Sequence, residues 1–368
     1  MIVASFTAKY KGLTGVEGYV SNHARVLRAA GFPVHVLVEE KSGLHRRLAA
    51  EGVPLETYSF GKLFKGHGRK EFARFLRSLV TTHKITHVHC NLLGELKPVH
   101  EALRGLAVPI FCSHHYQESF PVSQYPFVAG FAVVNKHLEQ GLMAKQRGLK
   151  KVPVVFIPPF LHEERFLSFV PPQEPVLPID RNDGLPVITM IGNFYNNPHL
   201  KNYPLLINAT DLLVRDYHYP CRIIIVGDGA NAAQIKQMVA AKRLEKYVHF
   251  LGFREDVPAI IHESDVVVLT SKSEGFGMAL AEANLMGKPV IGPAGTGVEG
   301  VITDKVNGLL FATDDVHDFC RKIITLTRDK KAMHAMGKRA QVYALEHFTT
   351  EPILQRFYSF YGLRSGLA

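Results

Sequence analysis

Little in this 368-residue chain belongs to the chemistries that cysteine or metal would carry. There are four cysteines, Cys90, Cys112, Cys221 and Cys320, scattered with no CxxC spacing. That excludes a disulfide framework or a zinc ribbon, and they read as reduced, buried small hydrophobes of a cytoplasmic protein. No HExxH, Cys/His cluster or paired-aspartate loop occurs, so no bound metal is expected. No apolar run approaches the roughly 18 residues that span a bilayer. The start, MIVASFTAKY, lacks the basic-then-apolar layout of a signal peptide.

A 46% hydrophobic and 21% charged composition is that of a soluble globular protein. Its length favours two domains of roughly 150–200 residues over one core. The net charge of +10 is uneven: residues 1–180 hold 22 Lys/Arg against 14 Asp/Glu, and 181–368 hold 21 against 19. Much of the first excess lies in GKLFKGHGRKEFARFLRSLVTTHK (61–84), where Phe72, Phe75, Leu76, Leu79 and Val80 keep helical spacing. Its basic outer face suits nucleic acid, anionic lipid or a phosphorylated substrate, and equally a solvated surface.

Apolar strands alternate with helical stretches. MIVASF (1–6), PVHVLV (33–38), THVHC (86–90), VPIFCS (108–113), FAVV (131–134) and VPVVFI (152–157) read as strands. Near-continuous apolarity marks them as buried on both faces of a parallel sheet. The proline-rich FVPPQEPVLPIDRNDG (169–184) reads as a linker. The pattern then restarts with PVITMIG (186–192), RIIIVG (222–227), VHFLG (248–252), DVVVLTS (265–271), PVIGP (289–293) and GLLF (308–311). Two tandem doubly wound α/β domains facing a cleft are expected, with helical pattern from about 314 to 345 and a last amphipathic stretch at 351–363. The boundaries are 1–168, a linker at 169–185, 186–348, and a terminal helix at 349–368.

In such sheets ligands bind beyond the carboxyl ends of the strands. SEGFGMALAEA (273–283) puts Glu274 before a glycine turn that opens a helix and Glu282 inside that helix. Free N–H groups and the positive end of the dipole there favour a diphosphate. A carboxylate on either side can grip vicinal hydroxyls, Glu274 on what the diphosphate carries and Glu282 on a ribose. Glu274 can also be read as a charge answering the helix dipole. IVGDGANAAQ (225–234) is a second glycine turn, and Lys201 precedes another helix as a point charge for a leaving phosphate. YKGLTGVEGYV (10–20) is a glycine-rich helix entry, and His114 ends a strand beside His115.

From IIIVGDG to NGLLF (223–311), the ordered motifs strongly resemble the nucleotide-binding domain of family 4 glycosyltransferases, closely over 186–345 and more loosely in the first half. The resemblance implies a retaining enzyme of the GT-B fold with a terminal helix that packs back on the first domain. It assigns Glu274 to the donor sugar, and Phe276, Gly277 and Met278 to backbone contacts with sugar and phosphate. Glu282 falls to the ribose, the Gly252–Arg254 loop to the nucleobase, Lys201 to the diphosphate and His114 to the reaction centre. Gly15 and Gly227 complete the donor loops. No cofactor is implied beyond a nucleotide-diphosphate sugar, UDP-linked ahead of GDP-linked by family frequency. The acceptor is a glycan, a lipid-linked or a small-molecule hydroxyl. A lipid-linked acceptor would place the basic first domain peripherally on the inner membrane face, and no nucleic-acid partner is expected. Departures from the family pattern are Asn193 for an arginine, Thr14–Gly15 and Gly295–Thr296 for glycine pairs, and IPPFLHEERF (157–166) for an Asn-Gly-Val-Asp turn. The rival readings are a dinucleotide-dependent oxidoreductase, for which residues 7–15 supply neither a third glycine nor an acidic ribose ligand, and a nucleotide-sugar-binding or basic membrane or nucleic-acid module without turnover.

Overall fold

The computed structural model describes residues 2–5, 15–59, 68–115, 119–146, 151–194 and 198–363. The chain divides into two compact units, residues 1–160 with 350–368, and 161–349.

The first unit holds β1 (Ile2–Ser5), β2 (His35–Val38), β3 (Leu55–Thr57), β4 (Val88–Cys90), β5 (Ile110–His114), β6 (Val128–Val133) and β7 (Val154–Phe156). They form one sheet in the order β3-β2-β1-β4-β5-β6-β7, every pair parallel. Six strands fall where apolar runs placed them. The seventh, β3, was not anticipated because Leu-Glu-Thr at a sheet edge carries no apolar run. Helix Gly68–Thr82 buries Phe72, Leu76, Leu79 and Val80 in the core, with Phe75 packed against it. Its basic face is partly used within the protein: Arg69 pairs with Glu101 at 3.5 Å, and Arg77 caps the carbonyls of Ala102 and Arg104. The part of that basic stretch at 61–67 lies outside the described residues. Helix Thr350–Tyr361 belongs to this unit, burying Ile353, Leu354, Phe357 and Tyr361.

The second unit holds β8 (Val187–Ile191), β9 (Arg222–Val226), β10 (Val248–Gly252), β11 (Val266–Val268), β12 (Val290–Pro293) and β13 (Gly308–Phe311). The order is β10-β9-β8-β11-β12-β13, again parallel throughout. Chain direction across the sheet reverses between β8 and β11, the switch point where doubly wound sheets open a crevice. Isoleucine and valine fill the inner strands, and Ile223, Ile224, Ile225, Val266, Val267 and Val268 are fully buried. The helical pattern at 314–345 is two helices, Val316–Thr327 and Lys330–His347, because Asp329 caps the second by accepting from Ala332 N–H.

Within residues 169–185, expected as a linker, the segment 176–179 packs on the second unit while 170–175 and 180–184 are exposed. Val176, Leu177 and Ile179 lie against Val187, Ile224, Val226 and Ile260. The amides of Val176 and Leu177 donate to the Glu263 carboxylate at 2.7 and 3.1 Å. Proline fixes the backbone there, but the apolar residues between the prolines have a core to bury into. All four cysteines are buried and free. Among the described residues no helix is long and apolar enough to cross a membrane.

Candidate functional site

The loops following β8, β9 and β11 meet at the switch point of the second unit, and glycine is what lets them meet. Gly227, with φ +136°, would drive a Cβ to 2.0 Å from the Gly192 carbonyl oxygen. Gly229, with φ +146°, would strike the Phe194 carbonyl at 2.1 Å. The strands' ladder runs on through these loops: Gly192 N–H donates to Val226 O, and Phe194 N–H to Asp228 O. The V-G-D-G motif is therefore the seam between two loops, and it leaves a wall of bare backbone.

Against that wall lies a cavity of about 660 Å³, lined by Gly192, Asn193, Gly227, Arg165, Arg254 and Glu282 among others. Burial pushes the Glu282 carboxyl up to about 7, with Arg165 pulling the other way. Arg254 is held against Asp256, one contact being Nε to Oδ1 at 2.6 Å, and that guanidinium keeps the Asp256 carboxyl below its usual range. Arg165 donates instead to the Glu255 carbonyl. Among the described residues it enters no ion pair, and its charge bears on two carboxyls, lowering both Glu282 and Asp256. Phe253 stands 70% exposed at the rim.

Beside the cavity, Lys201 Nζ donates to Glu274 Oε2 at 2.6 Å, and Ser271 Oγ donates to the same oxygen at 3.3 Å. Both side chains of the ion pair are mostly buried. The Lys201 stem runs past Gly192, its Cε 3.6 Å from where a Cβ would sit, so pair and cavity adjoin. The loop that carries Glu274 is stitched down: Thr270 Oγ1 donates to the carbonyls of Lys201 and Asn202, and Gly297 N–H to Glu274 O. A side chain at 297 would meet Gly275 O at 2.0 Å. Gly277 then takes φ +94° and opens helix Met278–Leu285 with no side-chain cap. Leu280 N–H turns back to Gly277 O at 2.9 Å, and the amides of Met278 and Ala279 ahead of it receive no side-chain cap, as an anion-binding helix entry requires.

Glu282, Arg254 and Gly227 share the cavity, while Lys201 and Glu274 form the pair next to it. Gly277 and Met278 form the entry of the helix that carries Glu282. The Phe276 side chain is packed inside the unit, 4% exposed and edge-on to Phe348 at 5.5 Å. His114 ends β5 in the first unit, its ring 4.6 Å from Phe120. Gly15 is the first residue of helix Gly15–Ala29, and the loop before it, Thr14 included, lies outside the described residues. Of the departures from the family pattern, Asn193 is exposed on the cavity wall, and Gly295 N–H donates to Glu299 Oε1 at 2.6 Å. The residue that sequence reasoning missed is Arg165. It sits in the short helix Glu164–Leu167, inside the very stretch that departs from the family turn, and no motif marked it.

Residues 178–343 match the family model described as glycosyl transferases group 1. Over 140 residues the chain is 32% identical to N-acetyl-alpha-D-glucosaminyl L-malate synthase of Bacillus anthracis, covering 38% of this chain and 37% of that one. Over 171 residues it is 29% identical to a UDP-Gal:alpha-D-GlcNAc-diphosphoundecaprenol alpha-1,3-galactosyltransferase of Escherichia coli, covering 46% and 43%. The chain thus spans well under half the length of these curated relatives. The fold matches along nearly all of the chain. A glycosyltransferase from Rickettsia africae aligns with TM-score 0.83 at 16% identity, covering 98% of this chain and 97% of that one. An Anabaena protein solved with UDP aligns with TM-score 0.77 at 19%, covering 98% and 99%. The fold is that of the GT-B glycosyltransferases.

Proposed function

We propose that this protein is a retaining, metal-independent glycosyltransferase of the family 4 type, moving a hexosyl unit from a nucleoside-diphosphate donor to an acceptor hydroxyl. The observation that carries the reading is the Lys201–Glu274 pair, at 2.6 Å, beside an uncapped helix entry and a cavity holding Glu282. A lone structural ion pair has no use for the backbone cradle around it.

Each group has one task in this reading. The amides at Met278 and the Lys201 ammonium take the diphosphate, and that draws Lys201 off Glu274. The freed carboxylate accepts from the sugar hydroxyls and orients the ring. Glu282 accepts from the ribose diol, and the Gly252–Arg254 loop lies against the base. Cleavage of the bond from the anomeric carbon to the phosphate oxygen leaves charge on the nucleoside diphosphate. Preorganised donors of this kind contribute on the order of 3 kcal/mol each in the transition state. The acceptor oxygen bonds to the anomeric carbon from the face the phosphate leaves, and the departing phosphate takes its proton. Arg165 supplies the positive charge that Asn193 no longer brings.

UDP bound to a protein of the same fold supports a UDP-linked donor, and the curated relatives support a glycan or lipid-linked acceptor. The cytoplasmic side, peripheral to the membrane when the acceptor is lipid-linked, goes with that acceptor. The test is a panel of nucleotide sugars read by release of free nucleoside diphosphate. One donor should stand out, and Glu274→Ala should lose at least tenfold, about 1.4 kcal/mol. Tight donor binding without turnover across the panel would leave a binding module instead.

A further inference from the structure

Outside that site, one group of side chains in the first unit has the composition of a metal centre. His35 opens β2, Glu56 lies in the middle of β3, and His83 follows the end of helix Gly68–Thr82. Alternation along β2 puts His35 and Leu37 on one face of the sheet. Glu56 is the register partner of Leu37, and so it shares that face. The helix end then brings His83 over the two strands. His83 Nε2 stands 3.5 Å from Glu56 Oε1, and the two imidazole rings are 4.1 Å apart between centroids. One ligand atom from each of the three residues lies within 4.8 Å of the others.

We propose that His35, Glu56 and His83 bind a divalent transition-metal ion of the zinc class, which fastens the edge strand and the helix end to the sheet. Two neutral imidazoles and one carboxylate are a zinc-type donor set, leaving a fourth position for water. Ligand atoms about 2.1 Å from a tetrahedral ion lie about 3.4 Å from one another. The His83–Glu56 pair already has that spacing, and rotamer adjustment of His35 closes the rest. The need is mechanical. β3 is three residues long, at the sheet edge, with no fully buried side chain. An ion joining Glu56 to His83 closes the chain between them and holds that edge. His35 is at the amino end of its strand, whereas His114 is at the carboxyl end of β5. The ion therefore sits away from the carboxyl ends where donor chemistry is sought. The three residues are far apart in the chain, which is why no spacing motif revealed them.

The experiment titrates the metal-stripped full-length chain with zinc, and with cobalt as a spectroscopic probe. One equivalent should bind with micromolar or tighter affinity, with the visible bands of four-coordinate cobalt, and zinc should raise the melting temperature. His83→Ala and Glu56→Gln, both at accessible positions, should each weaken binding at least tenfold and abolish the melting shift while far-UV circular dichroism stays unchanged. Absence of saturable uptake, or uptake equal in the native chain and both variants, overturns the site. UDP binding by the same variants should stay as in the native chain, which keeps this test apart from that of the donor site.

Discussion

Glu282 shows how one side chain can be costly to the fold and useful to the site. Its carboxyl is pushed up to about 7 by burial, above the ordinary 4.5, so the folded state holds a proton that the unfolded state has released between those values. Stability from this group is therefore full below about pH 4.5 and falls as pH rises through 7. Glu282→Gln removes that penalty. It should leave the unfolding free energy at pH 5 nearly unchanged and raise it at pH 8 by on the order of 2 kcal/mol, measured by denaturant melts. The same variant should weaken nucleotide binding, because an amide accepts less well from a diol than an ionised carboxylate. Arg165 is the group that holds Glu282 down. Arg165→Ala should move the midpoint of pH-dependent UDP binding upward and weaken it about tenfold at pH 8, roughly 1.4 kcal/mol. An unmoved midpoint in calorimetric titration would separate Arg165 from the site. Glu274 and Glu282 were legible as a pair because their spacing frames a glycine turn. Arg165 was not, because nothing local distinguishes it from any surface arginine until the short helix Glu164–Leu167 brings it to the cavity.

At the scale of elements, the site rests on loops that approach too closely for side chains. The turn after β8 donates to the turn after β9, Gly192 N–H to Val226 O and Phe194 N–H to Asp228 O, and Gly227 N–H in turn donates to Gly252 O. Gly227→Ala puts a methyl 2.0 Å from a carbonyl oxygen, at a φ that non-glycine residues avoid, so the loops must part. The expected outcome is destabilisation of at least about 2 kcal/mol together with loss of nucleotide binding. Gly52→Ala, also at positive φ but with open space at the Cβ, serves as the control and should cost about 1 kcal/mol without touching binding. Thermal melts and UDP titration read both. Strand positions were readable because parallel, doubly covered strands must be apolar throughout. β3 escaped because an edge strand need not be, and the packing of 176–179 escaped because proline content looks the same in a linker and in a packed extended segment.

Across the whole molecule, the chain's last helix completes the first unit's core. Tyr361 Oη bonds to His89 Nδ1 at 2.8 Å and His23 Nε2 at 3.2 Å, and His89 Nε2 reaches Ser113 Oγ at 2.8 Å, which meets Tyr19 Oη at 3.0 Å. Phe357 stacks on His23 at 4.4 Å, and Gly130 leaves room for the Phe360 ring. Burial pushes His23 down to about 3 and lowers His89 as well. These imidazoles are neutral when folded and take up protons on unfolding below about pH 6.5. The contribution of His23 is whole above that pH and is lost as pH falls toward 3, by about 1.4 kcal/mol per unit, and His89 adds a loss of the same sign. Denaturant melts from pH 7.5 to 5 should show this loss. A chain ended at Thr349 should lose the first unit's cooperative transition while the second unit's transition remains, since residues 350–368 belong to the first unit alone.

By itself the sequence determined the two parallel sheets, most of their strands and the paired glutamates around a helix entry. Each of these is a local consequence of periodicity or of glycine's freedom. Tertiary structure alone decided which charges answer one another: Lys201 with Glu274, Arg165 with Glu282, and His35, Glu56 and His83 over the edge strands. Electrostatic partners are chosen by distance in space, and residues far apart along a chain carry no mark of it until the sheets have folded.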